Sequence, residues 1–133
     1  MRLFEFEGKE ALSRYGLRIP RGGLATSPEE AARIARDLGR PVVIKAQVLR
    51  GGRGKAGGVL TAASPDEAAA RAADLFATSL AGEPVARVLV EEQIAIAREL
   101  YLGLTIDSDA SRPVLLMSAE GGVEIEEIKR TRP

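Results

Sequence analysis

At 133 residues, 45% hydrophobic and 29% charged, the chain has the size and apolar content of an ordinary soluble domain with a buried core. Nineteen Lys plus Arg balance nineteen Asp plus Glu, which excludes a global attraction to nucleic acid or an anionic membrane and makes any anion site local. With no cysteine and no histidine, disulfides, thiolate metal sites, triad hydrolysis and His-dependent metal chemistry are excluded as well.

No apolar run reaches membrane-span length. The start, Met1-Arg2-Leu3-Phe4-Glu5, puts a glutamate where a secretory signal needs its apolar stretch, so a cytoplasmic protein is expected. In chain order, Glu5 to Tyr15 reads as a helix stopped by Gly16, with Phe6, Ala11, Leu12 and Tyr15 as its apolar contacts and Pro20 just beyond. Two stronger helix starts follow, Ser27-Pro28-Glu29-Glu30 and Ser64-Pro65-Asp66-Glu67, each with serine at the N-cap, proline first and glutamate at the third helical position. Ala31, Ile34, Ala35 and Leu38 then recur at helical spacing up to Gly39, and Ala68, Ala72, Leu75 and Phe76 form a similar stripe.

Short β-branched runs supply the strands: Pro41 to Val48, Gly58 to Ala62 and Val85 to Glu91. Farther on, Leu100, Leu102, Leu104 and Ile106 alternate with polar or small residues, the period of a half-buried strand. Ser108 to Arg112 reads as a turn into Pro113 to Ser118, and Gly121-Gly122 as a turn into Val123 to Ile128, giving a three-stranded meander. The last strand has no cap beyond Pro133, which favours a fragment of a longer chain over a frayed natural terminus.

Five of the eight residues from Gly51 to Gly58 are glycine, leaving backbone N–H groups able to converge on an anion, and Arg53 and Lys55 add positive charge. A Walker A loop is excluded, because Leu49 and Ala56 stand where glycine and Ser or Thr are needed and the segment joins two strands. Glycine and charge content alone fit a solvated hairpin connection equally well. Lys45 favours the phosphate reading: within Val42-Val43-Ile44-Lys45-Ala46 a desolvated ammonium is costly unless it meets an anion, although alternation also lets it face water. An RGG-type nucleic-acid segment is disfavoured by 4% aromatics and zero net charge. Glu91 and Glu99 flank the next junction; carboxylates there can accept from ribose hydroxyls or an adenine amino group, or simply be solvated strand-end residues.

The ordered strings Tyr15 to Pro20 (YGLRIP), Val43 to Val48 (VIKAQV), Gly51 to Val59 (GGRGKAGGV), Leu89 to Glu92 (LVEE), Ala97 to Gly103 (ARELYLG) and Glu120 to Glu127 (EGGVEIEE) resemble the β-subunit family of ADP-forming succinyl-CoA synthetases, over residues 1 to about 128. That resemblance implies an α+β, ATP-grasp fold: a complete first subdomain at 21–94, with 1–20 and 95–133 beginning the second. It also implies that Lys45 and Gly52-Arg53-Gly54 contact the phosphates of ATP or ADP, that Glu91 and the Ile94 backbone lie along adenine, and that Glu99 binds ribose. Pro20 falls where the family chooses between ATP and GTP, and resembles the ATP users. The implied partner is an α subunit carrying a phosphohistidine and the CoA site. Mg2+ is expected in the full-length enzyme only, since the family's asparagine and aspartate ligands lie downstream. No catalytic residue, nucleic acid or membrane is implied for this chain, which alone is expected to be inactive. Malate-CoA ligase and citryl-CoA synthetase share much of the pattern, and a non-catalytic truncated paralogue acting as an interaction module is the alternative function.

Overall fold

The two serine–proline starts open helices, and with them the order of elements falls into place. The computed structural model describes residues 2–49, 52–80, 82–119 and 121. It contains α1 (Glu5–Ser13), β1 (Gly22–Ala25), α2 (Pro28–Leu38), β2 (Val42–Ala46), β3 (Val59–Ala62), α3 (Pro65–Phe76), β4 (Ser79–Leu80), β5 (Glu83–Pro84), β6 (Val88–Glu92), β7 (Tyr101–Asp107) and β8 (Arg112–Ser118). These divide between two compact units, Met1–Ile94 and Ala95–Pro133.

Ser27 and Ser64 cap α2 and α3 by accepting the N–H of Glu30 and Glu67, each at 3.2 Å. The reciprocal half of the cap reaches one residue farther back than a capping box does. Glu30 accepts the Thr26 N–H at 2.7 Å and its hydroxyl at 2.8 Å, and Glu67 accepts the Ala63 N–H at 2.8 Å. These backbone bonds, first among the causes, hold both carboxyls below the usual glutamate range. Gly39 ends α2 in the left-handed region at φ 65°, as glycine at that position permits.

The first unit is built on a four-stranded sheet in the order β1-β6-β2-β3, every neighbouring pair antiparallel. Alternation sends Val42, Ile44 and Ala46 of β2, with Val88 and Val90 of β6, into one core with Ala31, Ala35, Ala68, Ala72 and Leu75 of the two helices. Alanines on both helices keep the layers close. Strand β1 was not among the expected strands, because Gly22-Gly23-Leu24-Ala25 has little β propensity. Gly22 is nevertheless required there, since a Cβ would collide with the Val90 carbonyl oxygen of β6. In α1 the expected contacts hold only in part: Phe6 is half-buried, whereas Ala11, Leu12 and Tyr15 are exposed.

The second unit contains the β7–β8 hairpin, in register from Tyr101 opposite Ser118 to Asp107 opposite Arg112. Asp107 closes its turn by accepting the N–H groups of Asp109 and Ala110, each at 3.0 Å. The alternating strand is present, but its apolar face is exposed where half-burial was expected: Leu104 is 76% accessible, and Leu102, Ile106, Leu115 and Met117 share that face. The expected third strand, Val123 to Ile128, lies outside the described residues.

Candidate functional site

Pairing register places Lys45 of β2 opposite Leu89 of β6, and Val43 opposite Glu91, so Lys45 and Glu91 share the sheet face turned away from α2 and α3. On that face the Lys45 ammonium donates to Glu91 at 2.9 Å and to Glu5 of α1 at 3.2 Å. Lys9, one helical turn after Glu5, donates to both oxygens of Glu91 at 2.5 and 2.6 Å and pairs with Glu5 at 2.9 Å. Arg53, from the glycine-rich loop, completes the group through its guanidinium on the other Glu5 oxygen. Three cations thus meet two carboxylates, a local excess of one positive charge.

Burial makes this cluster electrostatically strong. The Glu91 side chain is only 3% exposed and is neutralised by two ammonium groups, which excludes the solvated strand-end reading for it. For Glu5, burial alone would raise the pKa; the Lys9 hydrogen bond and the positive fields of Lys45, Arg53 and Lys9 outweigh it and bring the carboxyl down to about 2. Burial likewise works against the charged form of Lys45, but the hydrogen bond to Glu91 and the charge of Glu5 prevail and raise its pKa. Lys45 does not simply face water.

Three contacts seat α1 here independently of Glu5. Gln47, 3% exposed, accepts the Phe6 N–H at 3.2 Å and donates to the Lys45 carbonyl at 3.0 Å. The Arg87 guanidinium lies 5.2 and 5.9 Å from the stacked rings of Phe4 and Phe6. Lys9 to Glu91 is the third. A cleft of about 140 Å³ runs alongside, lined by Phe6, Lys9, Ser13, Pro20, Leu89 and Glu91.

The loop is more self-contained than its glycines suggest. Gly52 and Gly57 adopt φ of 78° and 77°. The N–H groups of Ala56, Gly57 and Gly58 donate to the carbonyls of Gly52, Gly54 and Arg53 at 3.2, 3.2 and 2.7 Å, so these three are engaged within the loop and not aimed outward. Gly51 lies outside the described residues. Of the expected site residues, Lys45, Arg53 and Glu91 come together, with Gly52 and Gly54 flanking Arg53. Ile94 is exposed at the end of the first unit, and Glu99 belongs to the second unit, where its carbonyl accepts the Gly121 N–H at 3.2 Å. Glu5, Lys9 and Gln47 were not anticipated; the one local signal was the Glu5–Lys9 spacing of four on a helix.

Among the described residues no group of three or more Asp, Glu, His or Cys is placed to hold a metal ion. No described helix is long and apolar enough to cross a membrane. The family model for the ATP-grasp domain matches residues 2–133. The chain belongs to the ATP-grasp domain family. Two ATP-grasp relatives are each 50% identical over 133 residues, covering all of this chain and 35% of their own length: the succinate–CoA ligase [ADP-forming] subunit beta of Rubrobacter xylanophilus and the succinate–CoA ligase [GDP-forming] subunit beta of Thermus thermophilus. This ATP-grasp chain therefore spans about a third of the length of the curated relatives it matches. Among solved structures it is similar to the dinucleotide-forming acetyl-coenzyme A synthetase 1 of Ca. Korarchaeum cryptofilum in complex with coenzyme A, Ca-AMPCP and HgCl+. That match has a TM-score of 0.74 and 28% identity over 96% of this chain and 57% of the other.

Proposed function

We propose that this chain is the ATP-binding N-terminal part of an ADP-forming acid-CoA ligase of succinyl-CoA synthetase type. The observation that carries the reading is the convergence of Lys45 and Arg53, from two separate segments, on a single carboxylate beside the glycine loop. Cations gathered in this way on a partly desolvated surface suit an oxyanion ligand. The names of the half-identical relatives supply the reaction class.

In this reading Lys45 and Gly52-Arg53-Gly54 hold phosphate oxygens, Glu91 and the Ile94 backbone lie along the base, and Glu99 binds ribose. The buried Glu91 carboxylate has a second task, fixing the Lys45 ammonium through the 2.9 Å bond. Residues 21–94 act as one ATP-grasp subdomain and 1–20 with 95–133 as the start of the other, even though α1 packs on the first unit here. The whole ligase would join succinate and CoA using ATP, through a phosphohistidine on an α-subunit partner in the cytoplasm. In this reading magnesium is held in the full-length enzyme by ligands outside this chain.

Calorimetry with Mg-ATP on the 133-residue chain tests the phosphate assignment. Charge-assisted hydrogen bonds contribute about 1.5–3 kcal/mol each, so Lys45→Ala with Arg53→Ala is expected to weaken binding by at least about a hundredfold. Equal heats for wild type and double variant would remove the assignment. Because relatives named ADP-forming and GDP-forming match at the same 50% identity, the same titration with Mg-GTP measures the base preference.

A further inference from the structure

The same geometry that gathers Lys45 and Arg53 gives both of them to Glu5, a residue of the chain's own first helix. We propose that the Glu5 carboxylate is an internal competitor for the phosphate cations, so that an incoming polyphosphate takes Lys45 and Arg53 as Glu5 releases them. The inference rests on the phosphate reading of those two residues and adds to it a carboxylate that limits affinity.

Its physical basis is the difference between the two glutamates of the cluster. Glu91 is 3% exposed and held by two ammonium groups, one of them through both carboxylate oxygens, so it stays. Glu5 is 21% exposed and sits in the first turn of α1, where its side chain has solvent to turn into. Helix α1 need not move when it does, because Gln47 holds the Phe6 N–H, Arg87 covers the Phe4 and Phe6 rings, and Lys9 holds Glu91. A phosphate and a carboxylate sharing the same cations at contact distance repel each other, and the more exposed, singly charged group is the one displaced. Lys9, bonded to both glutamates, remains as a third cation beside the phosphate once Glu5 departs.

The test titrates the full chain with inorganic pyrophosphate, without metal, by calorimetry. Glu5→Gln keeps the side-chain shape and removes the charge; about tenfold tighter pyrophosphate binding is expected, the order of effect of one like charge beside the ligand in a partly exposed site. In an Arg53→Ala background the gain from Glu5→Gln is expected to shrink toward none. Unchanged or weaker binding in Glu5→Gln overturns the proposal, and weaker binding would make Glu5 a residue that positions the cations. If Lys45→Ala with Arg53→Ala loses pyrophosphate while Glu5→Gln gains nothing, only this inference fails. If neither the wild type nor Glu5→Gln binds, the phosphate reading falls with it. Should Glu5→Gln not fold, the wild-type chain carrying 13C-labelled glutamate answers instead: the Glu5 carboxyl resonance is expected to move on saturation with pyrophosphate, and an unmoved resonance overturns the proposal.

Discussion

Strands β2 and β7 obey the same alternation and meet opposite fates. In β2, Val42 and Ile44 are fully buried beneath two helices; in β7, Leu104 and Ile106 are 76% and 73% exposed on a two-stranded hairpin. Alternation therefore tells which side chains share a face, but not whether anything covers it. Coverage in the first unit comes from α2 and α3, which stand next along the chain to strands of the sheet they shield. Among the described residues β7 and β8 pair only with each other, and a two-stranded hairpin needs a third strand or a helix for stability of its own.

Substitutions that act on one unit and spare the other can break this contrast. The largest expected effect is Ile44→Ala, which truncates a side chain with no exposure and should cost about 4 kcal/mol in urea unfolding followed by probes in the first unit. Acid comes next. Glu5 is held at about 2, below its usual 4.5, so it contributes stability fully present above pH 4.5 and lost as pH falls toward 2. Screened by solvent at this half-buried position, that contribution is on the order of 1 to 2 kcal/mol, and Glu5→Gln should flatten the fall, as read by unfolding midpoints measured between pH 5 and about 2. Ser27→Ala and Ser64→Ala should cost about 1 kcal/mol each by loss of the N-caps, again in the first unit alone. The smallest effect is Leu104→Ala, within about 0.5 kcal/mol in urea unfolding followed by probes in the second unit; a loss matching that of Ile44→Ala would show that the β7 face is covered in solution.

How much of this was legible in the sequence depends on distance along the chain. The serine–proline caps and Gly39 were readable because every partner lies within four residues. The glycine segment and the strands on either side of it were readable from their composition, although β2 pairs with β3 and β6 far along the chain. Strand β1 was not, since its four residues owe their conformation to pairing with β6, more than sixty positions later, and to the room Gly22 leaves for Val90. The site divides along the same line. Lys45 in an apolar strand announced that an anion had to be near, but the anions were Glu5 and Glu91, forty and forty-six positions away in opposite directions. Loop closure over such lengths leaves no local pattern in the residues being joined. The resemblance to acid-CoA ligases pointed to Arg53 and Glu91 without revealing that Lys9 and Glu5 stand among them.

The place of β6 in the sheet has a consequence for the order in which the molecule is made. It is the last strand of the first unit to be synthesised, yet it lies between β1 and β2, which do not pair with each other. While the chain is still short of Val88, the β2–β3 hairpin has its partner, but β1 has none, and Lys9 has no Glu91 to meet. Until Val88 to Glu92 are made, neither β1 nor the β6 side of β2 has its partner in the sheet. Those five residues join β1 to β2 and bring the carboxylate that Lys9 and Lys45 share.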